Sequence, residues 1–165
     1  MCSYIFYREL GLQIKPERMR FCKKMDEYLV ERMNKRNPKT FKDIESIWYE
    51  GYSEDRSRKY HQSRYHFCNL HSLFNGVGTL ELRGFNSELH AGKVRAYIVL
   101  ALALNNQALT QKSASARKPQ ADNEKFSMRV FLNRIGFIGK EFKNCREHLC
   151  RHLSGNSAWR YRVGA

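Results

Sequence analysis

The sequence predicts an α+β fold that is mostly helical and contains one short antiparallel pair of strands. The strands are expected at Tyr65–Leu70 and Thr79–Arg83, where polar and apolar residues alternate in part. Between them lie Asn75, Gly76 and Gly78, which are residue types that tolerate turn conformations. On both sides of the pair, apolar residues recur at helical spacing, so helices are expected to flank the strands.

Three helices are predicted before the strands, at 3–12, Pro16–Lys35 and Phe41–Tyr49. Thr40 is suited to cap the third of these helices, and Asp43 stands where a capping box needs an acidic residue. The second helix has an apolar stripe that is expected to pack into the core. Its members are Met19, Phe21, Cys22, Met25, Tyr28, Leu29 and Met33.

The segment Tyr52–Arg64 is polar and mixed in charge, and it is expected to be a mobile connection. After the strands, a helix is predicted at Ser87–Leu109, and its all-round apolar centre indicates complete burial. A loop at Gln111–Asp122 separates it from two further helices. These are predicted at Glu124–Ile135, capped by Asn123, and at Lys140–Leu153, with Trp159 packing back onto them.

The length of 165 residues suits a single domain. Its expected parts are a helical N-terminal part at 1–63, a core at 64–110, a loop at 111–123 and C-terminal helices at 124–165. The chain has no apolar run of about 18 residues or more, so no membrane contact is expected. Five cysteines without a tight framework, and an N-terminus unlike a secretory leader, favour a reducing cytoplasm.

The net charge of +14 favours polyanionic partners, such as nucleic acid, nucleotide phosphates or an acidic protein. A solvated basic surface, or one face of a larger assembly, explains the same charge equally well.

Glu81 and Arg83 are the strongest candidates for chemistry. Both are expected on one face of the second strand, because residues two apart in a strand point the same way. A carboxylate can bind Mg²⁺, and a guanidinium can hold a phosphate or carboxylate with two hydrogen bonds. The alternative is an ordinary salt bridge between the two.

Other polar residues near the strands are weaker candidates for a functional role. Asn69 and His71 share a strand face that excludes His66, and both can instead satisfy backbone groups at the strand end. Lys93 shares a helix face with His90 and can neutralise a phosphoryl group.

Several motifs carry a family resemblance. They are R-Y-H-x-x-N-L-H from Arg64, G-T-L-E-L-R from Gly78, F-N-S from Phe85 and H-A-G-K-V-x-x-Y-I from His90. With them the chain resembles the putative amidoligase family, and further stretches up to Arg160 are similar to that family's C-terminal half. The resemblance implies a fold like that of glutamine synthetase and glutamate–cysteine ligase.

The resemblance also implies an ATP- and Mg²⁺-dependent carboxylate–amine ligase. Glu81 would bind the metal and Arg83 the phosphate or acyl group. The residues that would line the nucleotide or substrate pocket are Arg64, His66, Asn69 and Lys93. The family's acidic N-terminal half has no counterpart in this sequence, so the chain is expected to be truncated and weak or inactive alone. A second chain or a homodimer could complete its sheet.

The alternative is a basic binding module from a mobile genetic element. Such a module would bind nucleic acid, or would inhibit a CRISPR-type defence complex of the host. Its cations would contact phosphates and its tyrosines would stack on bases. The candidate residues are Arg56, Arg58, Lys59, Tyr60, Arg117, Lys118, Arg146 and Arg151.

Overall fold

The computed structural model describes residues 14–76, 78–112 and 122–160, apart from the side chain of Glu27. Within them the protein is mostly helical with one two-stranded antiparallel sheet, which confirms the predicted α+β class. The helices are α1 (Glu27–Arg36), α2 (Phe41–Tyr49), α3 (His71–Asn75), α4 (Ala91–Thr110), α5 (Glu124–Arg134) and α6 (Lys143–Cys150). The strands are β1 (Cys68–Asn69) and β2 (Glu81–Leu82), and short 3₁₀ helices lie at Pro16–Phe21 and Gln62–Arg64.

The chain divides into two compact units. The first runs from Ile14 to Gly84 and contains both strands, and the second includes the described residues from Phe85 onward. The helix predicted at 3–12 and most of the loop predicted at Gln111–Asp122 lie outside the described residues. None of the helices in the described residues has the length and apolar character that a membrane crossing needs.

The core of the first unit forms where α1 packs against α2. Leu29, Ile47, Trp48 and Tyr49 are buried there, and partly buried side chains close the cluster. Those side chains are Met25, Met33, Leu70 and Phe74. Removal of this apolar surface from water is the main stabilising term for such a cluster.

The start of α2 confirms the predicted capping box. The Thr40 hydroxyl accepts a hydrogen bond from the Asp43 backbone N–H at 3.2 Å, and the Asp43 carboxylate accepts one from the Thr40 N–H at 3.0 Å. These bonds satisfy backbone donors that have no partner inside the helix. The hydrogen bonds from Thr40 also lower the pKa of Asp43.

The prediction of one continuous helix from Pro16 to Lys35 is wrong. The 3₁₀ helix ends at Phe21, and Lys23 then forms a parallel bridge with the chain before β1. The Lys23 N–H donates to the Tyr65 carbonyl, and the Phe67 N–H donates to the Lys23 carbonyl, each at 2.8 Å. These backbone groups are the ones that a continuous helix would use, so a helix cannot pass through Lys23.

The predicted apolar stripe is therefore divided between core and surface. Cys22 and Leu29 are buried. Met19, Phe21 and Tyr28 are instead among the exposed apolar side chains. Once the helix is interrupted, the spacing no longer places all these residues on one face.

Both strands are shorter than predicted, because local turns take up their ends. Tyr65 follows a 3₁₀ helix, and Leu70 already has helical backbone angles at the start of α3. Helix α3 was not predicted. Gly78 has a φ of +75°, which confirms a turn that needs a glycine before β2.

In the second unit, helix α4 begins later than predicted, because the His90 side chain caps it by accepting the Lys93 N–H. Complete burial of this helix was a wrong prediction. One face is buried through Ala96, Leu100 and Leu104, while the opposite face is solvent-exposed. The exposed residues include Val94, Ile98 and Leu102.

The last two helices flank a turn that contains two glycines. Asn123 caps α5 as predicted, and its side chain accepts the Phe126 N–H. Helix α6 is shorter than the predicted Lys140–Leu153, because a turn occupies the residues from Gly139, which has a φ of +92°. Trp159 was expected to pack inward, but it is 62% exposed, so that prediction is wrong.

Candidate functional site

The β1–β2 pair places Asn69 opposite Glu81. Asn69 is fully buried, and its side-chain amide donates to the Glu81 carboxylate at 2.6 Å and to the Ser72 hydroxyl at 2.8 Å. Its side-chain oxygen accepts the His71 backbone N–H at 2.8 Å. Asn69 therefore connects both strands to α3 and sets the orientation of Glu81.

Arg83 lies beside the same carboxylate oxygen. Its Nη1 is 3.6 Å from Glu81 Oε2, so the salt bridge considered as an alternative is present. Its Nε donates to the Phe21 carbonyl at 3.2 Å, and its guanidinium lies 5.6 Å from the centre of the Tyr65 ring. Nη1 is shielded from solvent and has no hydrogen-bond partner in the described residues. A buried donor without an acceptor is costly, and an anionic ligand could remove that cost.

The two other pocket candidates of this unit form local contacts, although the Nε of Arg64 is also buried without a hydrogen-bond partner in the described residues. Arg64 donates a hydrogen bond to the Lys59 carbonyl at 2.8 Å. The Nδ1 atom of His66 lies 2.9 Å from the Ser63 carbonyl oxygen. Burial lowers the pKa of His66, so the ring is held neutral. Within the described residues, neither side chain forms a hydrogen bond or ion pair with Glu81. Their role in substrate binding stays a prediction.

Lys93 belongs to the second unit, near the start of α4. Its ammonium group pairs with Glu88 at 2.7 Å. This hydrogen bond is the main reason why the pKa of Glu88 is lowered, and the Leu89 and His90 N–H groups add to it. In this arrangement the positive charge of Lys93 is neutralised by a neighbour, so an anion would have to compete with Glu88 for it.

A buried polar network lies within the segment that was expected to be mobile. His61 and Ser63 are fully buried, so this part of Tyr52–Arg64 is packed inside the first unit. The Trp48 ring N–H donates to the Ser63 hydroxyl at 3.0 Å, and the Ser63 backbone N–H donates to His61 Nδ1 at 3.1 Å. Polar residue types gave no indication of burial, because the bonds that permit it come from α2.

His71 connects this segment to the core. Its Nε2 donates to the Arg58 carbonyl at 3.0 Å, so in the neutral ring Nδ1 accepts the Tyr49 hydroxyl proton at 2.6 Å. The Asn75 amide donates to the same hydroxyl at 2.6 Å. Burial lowers the pKa of His71, which agrees with a neutral ring. His71 thus satisfies backbone and side-chain groups, as the alternative reading of the sequence proposed.

The candidate nucleic-acid-binding residues of the first unit differ in their contacts with neighbouring side chains and in their exposure. Arg58 pairs with Glu54 at 3.5 Å, and Arg56 lies over the Tyr49 ring at 5.2 Å. Tyr60 is 63% exposed, with the Lys59 ammonium 5.6 Å from its ring centre. Exposed Tyr60 is thus the candidate with a ring that can still stack on a base.

In the second unit, α5 and α6 line a basic pocket of about 490 Å³. Two of the predicted cations, Arg146 and Arg151, are part of its lining, and the other predicted pair, Arg117 and Lys118, lies outside the described residues. Arg146 donates from Nη1 to the Phe137 carbonyl at 2.7 Å. Inhibition of a CRISPR-type complex stays a prediction from charge and resemblance.

Metal-binding and nucleophilic groups are sparse in the described residues. They contain no group of three or more His, Cys, Asp or Glu residues placed to hold a metal ion. Within that part of the chain Glu81 therefore belongs to no such group, and its role as a metal ligand stays a prediction. Burial raises the pKa of Cys68, next to the site, to about 11, so at neutral pH this cysteine is a thiol and a poor nucleophile.

Comparison with known proteins gives one positive result. No curated protein and no solved structure matches the chain. A family described as "putative amidoligase enzyme" matches residues 5–105, which is more than half of the chain. The matched range includes β1, β2 and the contacts of Asn69, Glu81 and Arg83, and it ends within α4. The chain therefore belongs to the putative amidoligase enzyme family.

Proposed function

We propose that the β1–β2 site binds ATP with Mg²⁺ and serves a carboxylate–amine ligase reaction, in a fold similar to that of glutamine synthetase. One observation carries the proposal. Arg83 Nη1 is buried without a hydrogen-bond acceptor in the described residues, and it lies beside Glu81, whose side chain is 42% exposed. A cation that lacks an acceptor next to a reachable carboxylate suits a ligand that brings both phosphate oxygens and a metal ion.

The role of Arg83 follows from its fixed position. Its Nε bond to the Phe21 carbonyl and its packing over Tyr65 hold the guanidinium plane. A phosphate or carboxylate oxygen at Nη1 would satisfy that donor at little cost in side-chain entropy. In the free protein, Glu81 partly fills this role through a weak contact at 3.6 Å.

The role of Glu81 is that of a single metal ligand. Mg²⁺ prefers six oxygens and commonly takes one or two carboxylates, with water and substrate phosphates as the rest. The Asn69 amide holds one carboxylate oxygen of Glu81 at 2.6 Å, which orients the group for such a contact. These residues therefore suit a metal ion that is bound together with a nucleotide. They are too few for a metal site formed by the protein alone.

Bound ATP would supply the phosphoryl group that makes a substrate carboxylate reactive toward an amine. Arg83 would hold and neutralise the transferred group, which lowers the barrier by stabilising developing charge. Arg64, His66 and Lys93 are proposed as supporting residues on the family resemblance. A single carboxylate is little for a metal-dependent ligase, so we propose weak activity for this chain alone and completion by a second chain or a homodimer.

Calorimetric titration of the whole chain with ATP, with and without Mg²⁺, tests the proposal. We expect saturable binding that needs Mg²⁺ and that Glu81→Gln weakens at least about tenfold, a difference of about 1.4 kcal/mol. The glutamine can still accept the Asn69 hydrogen bond, so the fold should be kept. Arg83→Gln should likewise weaken the Mg²⁺-dependent binding, because it removes the donor that would hold a phosphate oxygen.

The matched control is Glu31→Gln, which removes an exposed carboxylate on α1 of the same unit. It should bind ATP as the unsubstituted protein does. Absence of heat at about millimolar nucleotide, where even weak binding is detectable, would contradict the proposal. Equal loss of affinity in Glu31→Gln and Glu81→Gln would also contradict it.

A further inference from the structure

The second unit carries a basic pocket outside the residues that the family matches. Helices α5 and α6 and the segment after α6 line it, and its volume is about 490 Å³. The lining residues are Lys125, Arg129, Lys143, Arg146, Glu147, Cys150, Arg151 and Ser157. The proposed ligase site includes none of these residues, so it assigns no role to this pocket.

The charge in this pocket is strongly unbalanced. Five of its lining residues are cationic, and Glu147 is the one acidic lining residue. Glu147 pairs with Lys143 at 3.9 Å, and both side chains are more than half exposed, so the pair neutralises little. Lys125 and Arg151 have no ion-pair partner in the part of the chain that the structure describes. Such a concentration of like charge favours binding of a polyanion.

Two of the arginines are held in place by the backbone. Arg146 Nη1 donates to the carbonyls of Phe137 and Gly139 at 2.7 and 3.0 Å, and Arg129 Nη1 donates to the Ser157 carbonyl at 2.9 Å. These bonds leave other guanidinium donors for a ligand, because an arginine has five N–H groups. The cationic wall is thus ordered before a ligand arrives, which reduces the entropic cost of binding.

The spacing of the cations favours an extended ligand. Lys125 and Arg129 are four residues apart on α5, a rise of about 6 Å along the helix. Lys143 and Arg146 form a second row on α6. A single phosphate can contact only part of this surface, whereas a chain of phosphates can contact both rows.

The lining residues include no aromatic side chain, so the pocket offers no ring on which a base could stack. We propose that this pocket binds the sugar–phosphate backbone of nucleic acid and does not read its base sequence. Its cations would contact the phosphates and release bound counterions, which makes affinity depend on salt rather than on sequence.

Fluorescence anisotropy of a labelled single-stranded DNA of about 15 nucleotides, titrated with the whole chain, tests this site. The double variant Lys125→Gln/Arg151→Gln should raise Kd at least about tenfold at about 100 mM salt. It should also reduce the slope of log K against log salt by about 1.4, because two phosphate contacts are lost. Glu81→Gln should leave this binding unchanged, which separates the result from that of the ligase proposal.

The control double variant Arg134→Gln/Lys140→Gln removes the same charge from exposed positions that do not line the pocket. It should raise Kd by no more than about threefold. Equal effects of the two double variants would overturn the proposal in favour of diffuse attraction by the +14 charge. The variant Lys125→Arg/Arg151→Lys, which keeps both positive charges, should bind the DNA about as tightly as the unsubstituted protein.

Two further outcomes would also overturn the proposal. One is no binding of the DNA even at about 50 mM salt, where phosphate contacts are strongest. The other is binding of inorganic tripolyphosphate without binding of DNA, which would assign the pocket to a free polyphosphate. If circular dichroism shows that the double variant is unfolded, Lys143→Gln replaces it, because that side chain is 69% exposed, and it should weaken DNA binding more than Lys140→Gln does.

Discussion

Replacement of Asn69 by aspartate should destabilise the first unit at neutral pH and much less in mild acid. The two side chains have nearly the same shape, so the change removes an amide donor and adds a carboxyl group with little change in packing. In the native protein that amide donates to Glu81 at 2.6 Å and to Ser72 at 2.8 Å. In Asn69→Asp, two carboxylates would meet where a donor and an acceptor met before.

The expected magnitude comes from two contributions. The lost hydrogen bond to a charged group is worth about 1.5 to 3 kcal/mol. Repulsion between two carboxylates about 4 Å apart reaches about 4 kcal/mol at an effective dielectric constant of 20. Glu81 is 42% exposed and can turn away, which relieves much of this repulsion. We therefore expect a loss of about 3 kcal/mol at pH 7.5.

Mild acid should restore most of the stability that Asn69→Asp loses. Like charges raise the pKa of one member of a carboxyl pair, so at about pH 5 the pair should share one proton and regain a hydrogen bond. The loss relative to the unsubstituted protein should then fall to about 1 kcal/mol. Comparison at equal pH removes the effect of histidines, which titrate in both proteins.

Urea unfolding followed by tryptophan fluorescence measures this difference. Trp48 is buried in the first unit and reports its unfolding, and Trp159→Phe in both proteins removes the other tryptophan of the chain. Asn34→Asp, at an exposed position on α1, is the control for an added charge and should cost well under 1 kcal/mol. A loss below about 1 kcal/mol at pH 7.5, or a loss that does not change with pH, would refute the contact between Asn69 and Glu81.

Two further predictions concern stability. Burial lowers the pKa values of His66 and His71 below 6.5, so the unfolded chain binds more protons as the pH falls. Their contribution should be complete above about pH 6.5 and be lost below it, by up to about 1.4 kcal/mol per pH unit for each histidine. Urea midpoints at pH 7.5, 6.5 and 5.5 check this, and an increase in stability on acidification would contradict it. Gly84→Ala should cost about 1 to 3 kcal/mol, because its Cβ would overlap the buried Phe67 ring. Thermal unfolding measures this cost, and Gly84→Ala/Phe67→Leu should recover part of it if the overlap is the cause.

Local signals in the sequence were sufficient for several elements. Thr40 and Asp43 define the start of α2 because a capping box is formed by residues three apart. Asn123 defines the start of α5 because its side chain accepts the N–H of the residue three positions on. Glu81 and Arg83 were expected to lie side by side, and Arg83 Nη1 is 3.6 Å from Glu81 Oε2, although β2 ends at Leu82 and Arg83 follows it. These predictions succeeded because each depends on neighbours that are close in sequence.

Other features depend on partners that are distant in sequence. The predicted helix is interrupted at Lys23 because this residue forms a bridge to the chain around His66. The residues next to Lys23 in the sequence do not predict this bridge. The burial of His61 and Ser63 depends on bonds that involve Trp48 and on rings from α2. The orientation of Glu81 by Asn69 likewise depends on the register of two short strands.

The sequence by itself determined the α+β class, the helix caps, the basic charge and the family to which the chain belongs. Tertiary structure decided which backbone groups pair across long separations, which polar side chains are buried, and which cations share the pocket between α5 and α6. The physical reason is that propensity and capping act over one helical turn, whereas burial and pairing are set by whichever distant groups satisfy them.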